Sequence, residues 1–168
     1  QIIKDLKTIL APYNLHLTTV LVGDHVTALP EESMQNSPVD FILTGGNYDF
    51  LLLNLCNYLS NQSVNQCNHP PKVDNLCNQL PAGIWYRQGN EIRSTGVFNL
   101  NQDLNSLPMI DRELTKWWLY SEKNGNYKKT PGTYTMVGRD CWYHKCSFCS
   151  WTTIYPKYST RTPESLLN

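Results

Sequence analysis

Apolar residues at positions 2, 3, 6, 9 and 10 recur with helical spacing, so Ile2–Leu10 is predicted to be an amphipathic helix. The period then changes. Thr18 to Val22, "TTVLV", is a short β-branched run that ends at Gly23, the pattern of a buried strand. Val39 to Leu43, "VDFIL", is a second such run, closed by Gly45-Gly46. Between them Pro30 to Met34 fits a short helix. Tyr48 to Leu59, "YDFLLLNLCNYL", is apolar and long enough for a helix packed on a sheet. Helix, strand, helix, strand, helix is the order of a parallel sheet with crossover helices.

The pattern weakens after this. Ser60 to Leu80 is polar, carries Pro70-Pro71 and reads as a linker. Gly83 to Gly96, "GIWYRQGNEIRSTG", reads as a β-hairpin turning at Gly89-Asn90. Leu104 to Trp118 reads as a turn and a short helix, and Thr133 to Val137, "TYTMV", as a strand. The last residues, "TRTPESLLN", open a helix: Thr162 suits the N-cap, Pro163 the first helical position and Glu164 the first turn. A chain that starts at Gln and ends as a helix begins is expected to be a fragment, truncated at both ends.

Composition narrows the classes. The 168 residues suit one ordinary domain or two small ones, and 40% hydrophobic against 17% charged residues allows a packed core. Lys plus Arg equals Asp plus Glu, 14 each, so net charge offers no case for nucleic acid or an anionic membrane as partner. No apolar run approaches the roughly 20 residues of a membrane helix. Gln1-Ile2-Ile3-Lys4 lacks the pattern of a secretion signal. The sequon Asn61-Gln62-Ser63 is therefore read as a chance match, and a reducing, cytoplasmic compartment is expected.

In that compartment clustered cysteines bind metal or do redox chemistry. Cys56, Cys67 and Cys77 are widely and unevenly spaced, and read as ordinary thiols. Cys141, Cys146 and Cys149 differ. They share the loop "GRDCWYHKCSFCSW", four residues apart and then two, directly after a predicted strand and before a helix. Ligands of α/β folds gather at such strand ends. A zinc site would need a fourth donor, for which His144 is the candidate. A disulfide would leave one cysteine over. Three thiolates suit an iron–sulfur cube with one iron left open for an exogenous ligand. An electron-transfer cluster would call for a fourth cysteine. Arg139 and Lys145 flank the thiolates and could offset their charge, or be solvated. Trp142, Tyr143 and Trp151 could wall the loop from water, or simply pack.

This loop resembles the cluster loop of the radical S-adenosylmethionine (radical SAM) enzymes. The family's usual spacing is three then two; four then two also occurs in some cobalamin-dependent branches. The aromatic before the third cysteine is matched by Phe148. Upstream, "VLVGDHVTALPEESMQNSPVDFILTGGNYDFLLLNL" resembles the latter part of the cobalamin-binding domain that precedes the barrel in one large branch. Gly23, His25, Thr27, Pro30 and Glu31 match in order, while Val22 and "TGGNYD" depart from the pattern. Asp111 to Trp117, "DRELTKW", resembles the segment that joins the two domains.

The resemblance implies an α/β fold: the C-terminal part of a Rossmann-like cobalamin-binding domain over 1–60, a linker with the hairpin over 61–130, and the start of a partial (β/α) radical SAM barrel over 131–168. It implies a [4Fe–4S] cluster on Cys141, Cys146 and Cys149, whose open iron chelates S-adenosylmethionine beside Phe148. Reductive cleavage would then yield a 5′-deoxyadenosyl radical that abstracts hydrogen from a substrate. Cobalamin contacts would fall on Gly23, His25, Thr27 and Gly45. The implied partners are a substrate and a reductant such as flavodoxin or ferredoxin. The rival expectation is a non-catalytic zinc-binding module on Cys141, His144, Cys146 and Cys149.

Overall fold

The computed structural model describes residues 1–15, 17–65, 80–123 and 128–167, with backbone alone at 61–65 and 153. The chain divides into two compact units: Gln1–Gln102 with Thr153–Tyr155, and Asp103–Thr152 with Pro156–Asn168.

The first unit is a four-stranded sheet in the order β1-β2-β3-β4, formed by β1 (Val20–Leu21), β2 (Phe41–Leu43), β3 (Ile84–Gln88) and β4 (Glu91–Ser94). β1 and β2 are parallel, with Val20 opposite Phe41. Helices α2 (Asp24–Ala28) and α3 (Pro30–Asn36) join them. β3 and β4 form the hairpin, and the Gln88–Glu91 pair confines the turn to Gly89-Asn90.

The sheet corrects one expectation. The hairpin belongs to no linker: β3 pairs antiparallel with β2, Ile42 opposite Trp85, so the sheet is mixed. The reason lies in alternation. Phe41, Leu43, Ile84 and Tyr86 face one side with Leu51, Leu55 and Tyr58 of α4 (Tyr48–Asn65). Ile42, Leu21, Trp85 and Ile92 face the other, with Val26 of α2 and Met34 of α3. Successive strand side chains point to opposite faces, so the hairpin covers apolar surface of β2 on both. Helices on both faces of a sheet give three layers.

Two boundaries also move. α4 runs on to Asn65, into the stretch expected as linker, and places Asn61 to Ser63 on a helix. Cys67 and Cys77 lie outside the described residues. Helix α1 (Ile2–Leu10) forms as expected, but none of its residues is buried; Ile3 packs against the core. No described helix is long and apolar enough to cross a membrane.

The connection from α3 to β2 is pinned twice. The Arg87 guanidinium donates to the carbonyls of Met34, Ser37 and Val39, at 2.8 Å for Ser37 and 3.4 Å for Val39. Asp40 accepts from Lys7 Nζ at 2.7 Å and from the Thr19 amide and hydroxyl at 2.8 and 2.6 Å. Burial alone would raise the Asp40 carboxyl, but the hydrogen bonds from Lys7 and Thr19 outweigh it and hold the group below its ordinary value.

The second unit contains a two-stranded antiparallel ladder, β5 (Gly138–Arg139) with β6 (Ser159–Thr160). The strand expected at Thr133 to Val137 is displaced to this ladder. β-propensity is realised only against a partner strand, and among the described residues Thr133 to Val137 has no ladder. A Cβ at position 138 would stand 2.7 Å from the Ser159 carbonyl oxygen, so glycine permits the close pairing. Helix α6 (Pro163–Leu167) starts as its sequence requires: the Ser165 amide donates to Thr162 Oγ1 at 3.2 Å. Arg161 anchors it by donating to the Ser165 hydroxyl and carbonyl and to the Leu107 carbonyl. The short helix expected between Leu104 and Trp118 is reduced to 3₁₀ turns at Leu104–Ser106 and Trp117–Leu119.

Candidate functional site

The cysteine loop spans residues 140–150, between β5 and helix α5 (Trp151–Ile154). Its backbone bends into the left-handed region at Asp140 (φ 69) and His144 (φ 53). Aspartate and histidine are among the few residue types other than glycine that adopt this region with any frequency. The first bend turns the chain out of β5 just before Cys141. The second falls inside the four-residue gap. Beyond it the Cys149 amide donates to the Cys146 carbonyl at 3.2 Å, which closes the Cys-x-x-Cys pair into one turn. The Thr152 hydroxyl caps that turn on the Cys149 carbonyl at 3.2 Å.

Burial sorts the loop. Cys141, His144, Cys146 and Cys149 are half-buried, whereas Trp142, Tyr143, Lys145, Ser147, Phe148 and Ser150 are exposed. The three cysteines are free thiols, as is Cys56, which sits exposed on α4. Trp142 stacks edge-on against Tyr143 with ring centroids 5.8 Å apart. These aromatic rings do not enclose the thiols: Trp142 is 76% exposed and Phe148 89%. Burial raises the Asp140 carboxyl above the ordinary carboxylate value, against the opposing charges of Arg139 and His144 and a hydrogen bond with Trp151.

The loop carries three free, partly accessible thiols, the donor type that iron–sulfur clusters use. Among the described residues no three His, Cys, Asp or Glu side chains are gathered to hold a single metal ion. A closed zinc site needs all its donors around one ion. A cube is less demanding, because each thiolate serves a different iron.

The residues expected around cobalamin lie at the C-terminal ends of β1 and β2, in the first unit. Gly23 (φ 128) is open, with no atom within 4 Å of a Cβ built there, and His25 is exposed. The deeper positions are occupied. A Cβ on Gly45 would meet Phe98 at 3.0 Å, and one on Gly46 would meet the Tyr155 ring at 2.7 Å. The Thr27 hydroxyl lies 2.8 Å from the Tyr48 hydroxyl, which lies 2.7 Å from that of Tyr155. Tyr155 in turn donates to Asp24. A phenol carries one proton, so the chain of donation runs from Thr27 to Tyr48 to Tyr155 to the Asp24 carboxylate. Burial, and then the bonds to Asp24 and Tyr48, push the Tyr155 phenol far above its ordinary value. The crevice as built does not fit cobalamin at Gly45 and Thr27.

Tyr155, Tyr48, Asp24 and Phe98 carry no signal in the sequence that would have assigned them to this crevice. Tyr155 stands 131 residues from Asp24 and 107 from Tyr48. Comparison with protein-family models, curated proteins and solved structures finds no match to the chain.

Proposed function

We propose that the chain is part of a radical SAM enzyme, with Cys141, Cys146 and Cys149 as the ligands of a [4Fe–4S] cluster. The observation that carries the reading is the loop itself: three free, half-buried thiols between β5 and α5, two of them joined in one turn. The resemblance of "GRDCWYHKCSFCSW" to the family's cluster loop supports the assignment. When bound, such a cluster supplies the electron that cleaves the sulfonium of S-adenosylmethionine and so starts hydrogen abstraction from substrate.

The chain's own residues contribute placement and access. The Cys146–Cys149 turn brings the backbones of two of the cysteines together, and the bends at Asp140 and His144 redirect the chain on either side of Cys141. Half-burial leaves all three thiols within reach of incoming iron and sulfide. The exposed Phe148 side chain, next to Cys149, is available to cover a cofactor. A reductant such as flavodoxin or ferredoxin is the implied electron donor.

One observation favours a second reading. His144 is half-buried together with the three cysteines, while its neighbours Tyr143 and Lys145 are exposed. A zinc module would use all four side chains.

Anaerobic reconstitution of the 168-residue chain with iron and sulfide separates the two readings. The cluster reading expects about four irons per chain, a brown absorbance bleached by dithionite, and loss of most iron in Cys141→Ala, Cys146→Ala or Cys149→Ala. His144→Gly, which keeps the left-handed bend, keeps its iron. A colourless metal that ignores dithionite and is weakened by His144→Gly establishes the zinc module instead. Iron content indifferent to all three cysteine substitutions refutes both.

A further inference from the structure

Ligands of open α/β sheets bind in the crevice outside the carboxyl ends of the strands. In the first unit that crevice opens just beyond the ends of β1 and β2, at Gly23 and at Gly45-Gly46. It is filled by the chain itself. Tyr155 is 2% exposed. Its ring occupies the space above Gly46 that any side chain at that position would need, and Phe98 does the same above Gly45. The fit is polar as well as steric. The Tyr155 hydroxyl bonds Asp24 at the start of α2 and Tyr48 at the start of α4, and Tyr48 engages Thr27. Tyr155 thus ties together the N-termini of two helices that flank the parallel strands. Asp24 and Tyr48 are thus engaged by the Tyr155 phenol, and Thr27 by Tyr48.

We propose that Tyr155 is a built-in stopper, which occupies the strand-end crevice of the first unit and excludes cobalamin from it. The unit is then a cofactor-free scaffold, and its glycines accommodate the chain's own aromatic rings. Glycine at 45 and 46 is required on this account: both have positive φ (103 and 99), and any side chain there would meet Phe98 or Tyr155. The inference concerns the first unit alone. It stands whether the cysteine loop of the second unit holds iron, zinc or neither.

The experiment uses cyanocobalamin as the probe, because its bound cyanide keeps the cobalt from the chain's free thiols and exposed His25; it is added to the full 168-residue chain and followed by desalting and visible absorbance of the retained fraction. The wild-type protein retains none. Tyr155→Phe keeps the ring and also retains none. Tyr155→Ala empties the space above Gly46 and retains the probe. Stoichiometric retention by the wild type overturns the proposal, and so does equal failure of wild type and Tyr155→Ala. A second measurement needs no variant. Nitration by tetranitromethane should modify Tyr155 at least about tenfold more slowly than Tyr13, because a buried, bonded phenol reacts only on local opening. Tyr13 is 72% exposed. Equal rates at the two tyrosines mean that the crevice is open and the stopper does not exist.

Discussion

Arg87→Ala should be among the most damaging single substitutions outside the apolar core. The guanidinium lies between β3 and the connection that carries the chain from α3 into β2. It serves three carbonyls there, those of Met34, Ser37 and Val39. Met34 sits in the last turn of α3, where helix carbonyls have no partner within the helix. Met34 and Val39 are both 0% exposed, so water cannot readily replace the lost donor. A hydrogen bond to a charged group is worth roughly 1.5–3 kcal/mol, and an unsatisfied buried carbonyl costs a further part of that range. The contact to Val39 is at 3.4 Å, beyond ordinary N–H···O distances, and adds little. The bonds to Met34 and Ser37 share one nitrogen and are not independent. The expected loss is therefore about 2–4 kcal/mol.

Urea unfolding followed by far-ultraviolet circular dichroism reads this directly. With a slope of about 2 kcal/mol/M, the midpoint should fall by about 1–2 M at unchanged slope. Arg87→Lys should recover part of the loss, because one ammonium keeps the charge but cannot span three carbonyls. A loss below about 0.5 kcal/mol for Arg87→Ala, the range of ordinary surface substitutions, would refute the reasoning. It would mean that the α3–β2 connection is held by its apolar contacts alone.

Asp40 gives a pH dependence with a defined sign. Its folded pKa is depressed, so its contribution is present above the ordinary value of 3.8 and fades as pH falls through the lower folded value. Asp40→Asn should be less stable than wild type at pH 5.5, with the gap in urea midpoints closing toward pH 3; a constant gap would sink the assignment. Leu55→Ala should cost about 2–5 kcal/mol, since Leu55 is 1% exposed in the core between α4 and the sheet; Leu53→Ala on the same helix, 58% exposed, should cost little by the same thermal or urea measurement. At His144 the conformation and the imidazole can be separated: His144→Gly keeps the left-handed turn, so reconstituted iron should survive in it and fall in His144→Val. Equal iron loss in both would make the imidazole a ligand.

What the sequence made legible was local. The periodicity of Ile2–Leu10, the Gly89-Asn90 turn and the Thr162 cap each depend on neighbours a few residues away, and each appears where its pattern stands. The parallel neighbours β1 and β2 follow from two like runs on either side of short helices. The missing part was pairing at a distance. Nothing in "IWYRQ" states that Trp85 will lie opposite Ile42, because alternation specifies a face and not a partner. "TYTMV" has the residues of a strand and no ladder among the described residues, whereas Gly138-Arg139 pairs although its composition is poor for one. The crevice was illegible for the same reason. Gly45-Gly46 marks a turn in sequence, but which rings come to cover it depends on Phe98 and Tyr155, which follow far along the chain.

The cysteine loop shows how spacing and conformation combine. The chain places four residues between Cys141 and Cys146 and two between Cys146 and Cys149. An extra residue in an extended or helical stretch would rotate every later side chain away from its register. Here the longer gap coincides with a reversal: His144 sits at φ 53, inside the gap, and the residues on either side of it are exposed while it and the cysteines are half-buried. A single left-handed residue changes the direction of the chain without lengthening its reach, which is the work of a bulge. The turn from Cys146 to Cys149 then starts afresh, fixed by its own backbone bond and by Thr152. The gap and the pair are thus set by separate local interactions. A substitution that disturbs the bend at 144 should move Cys141 relative to the other two thiols while leaving the spacing of Cys146 and Cys149 unchanged.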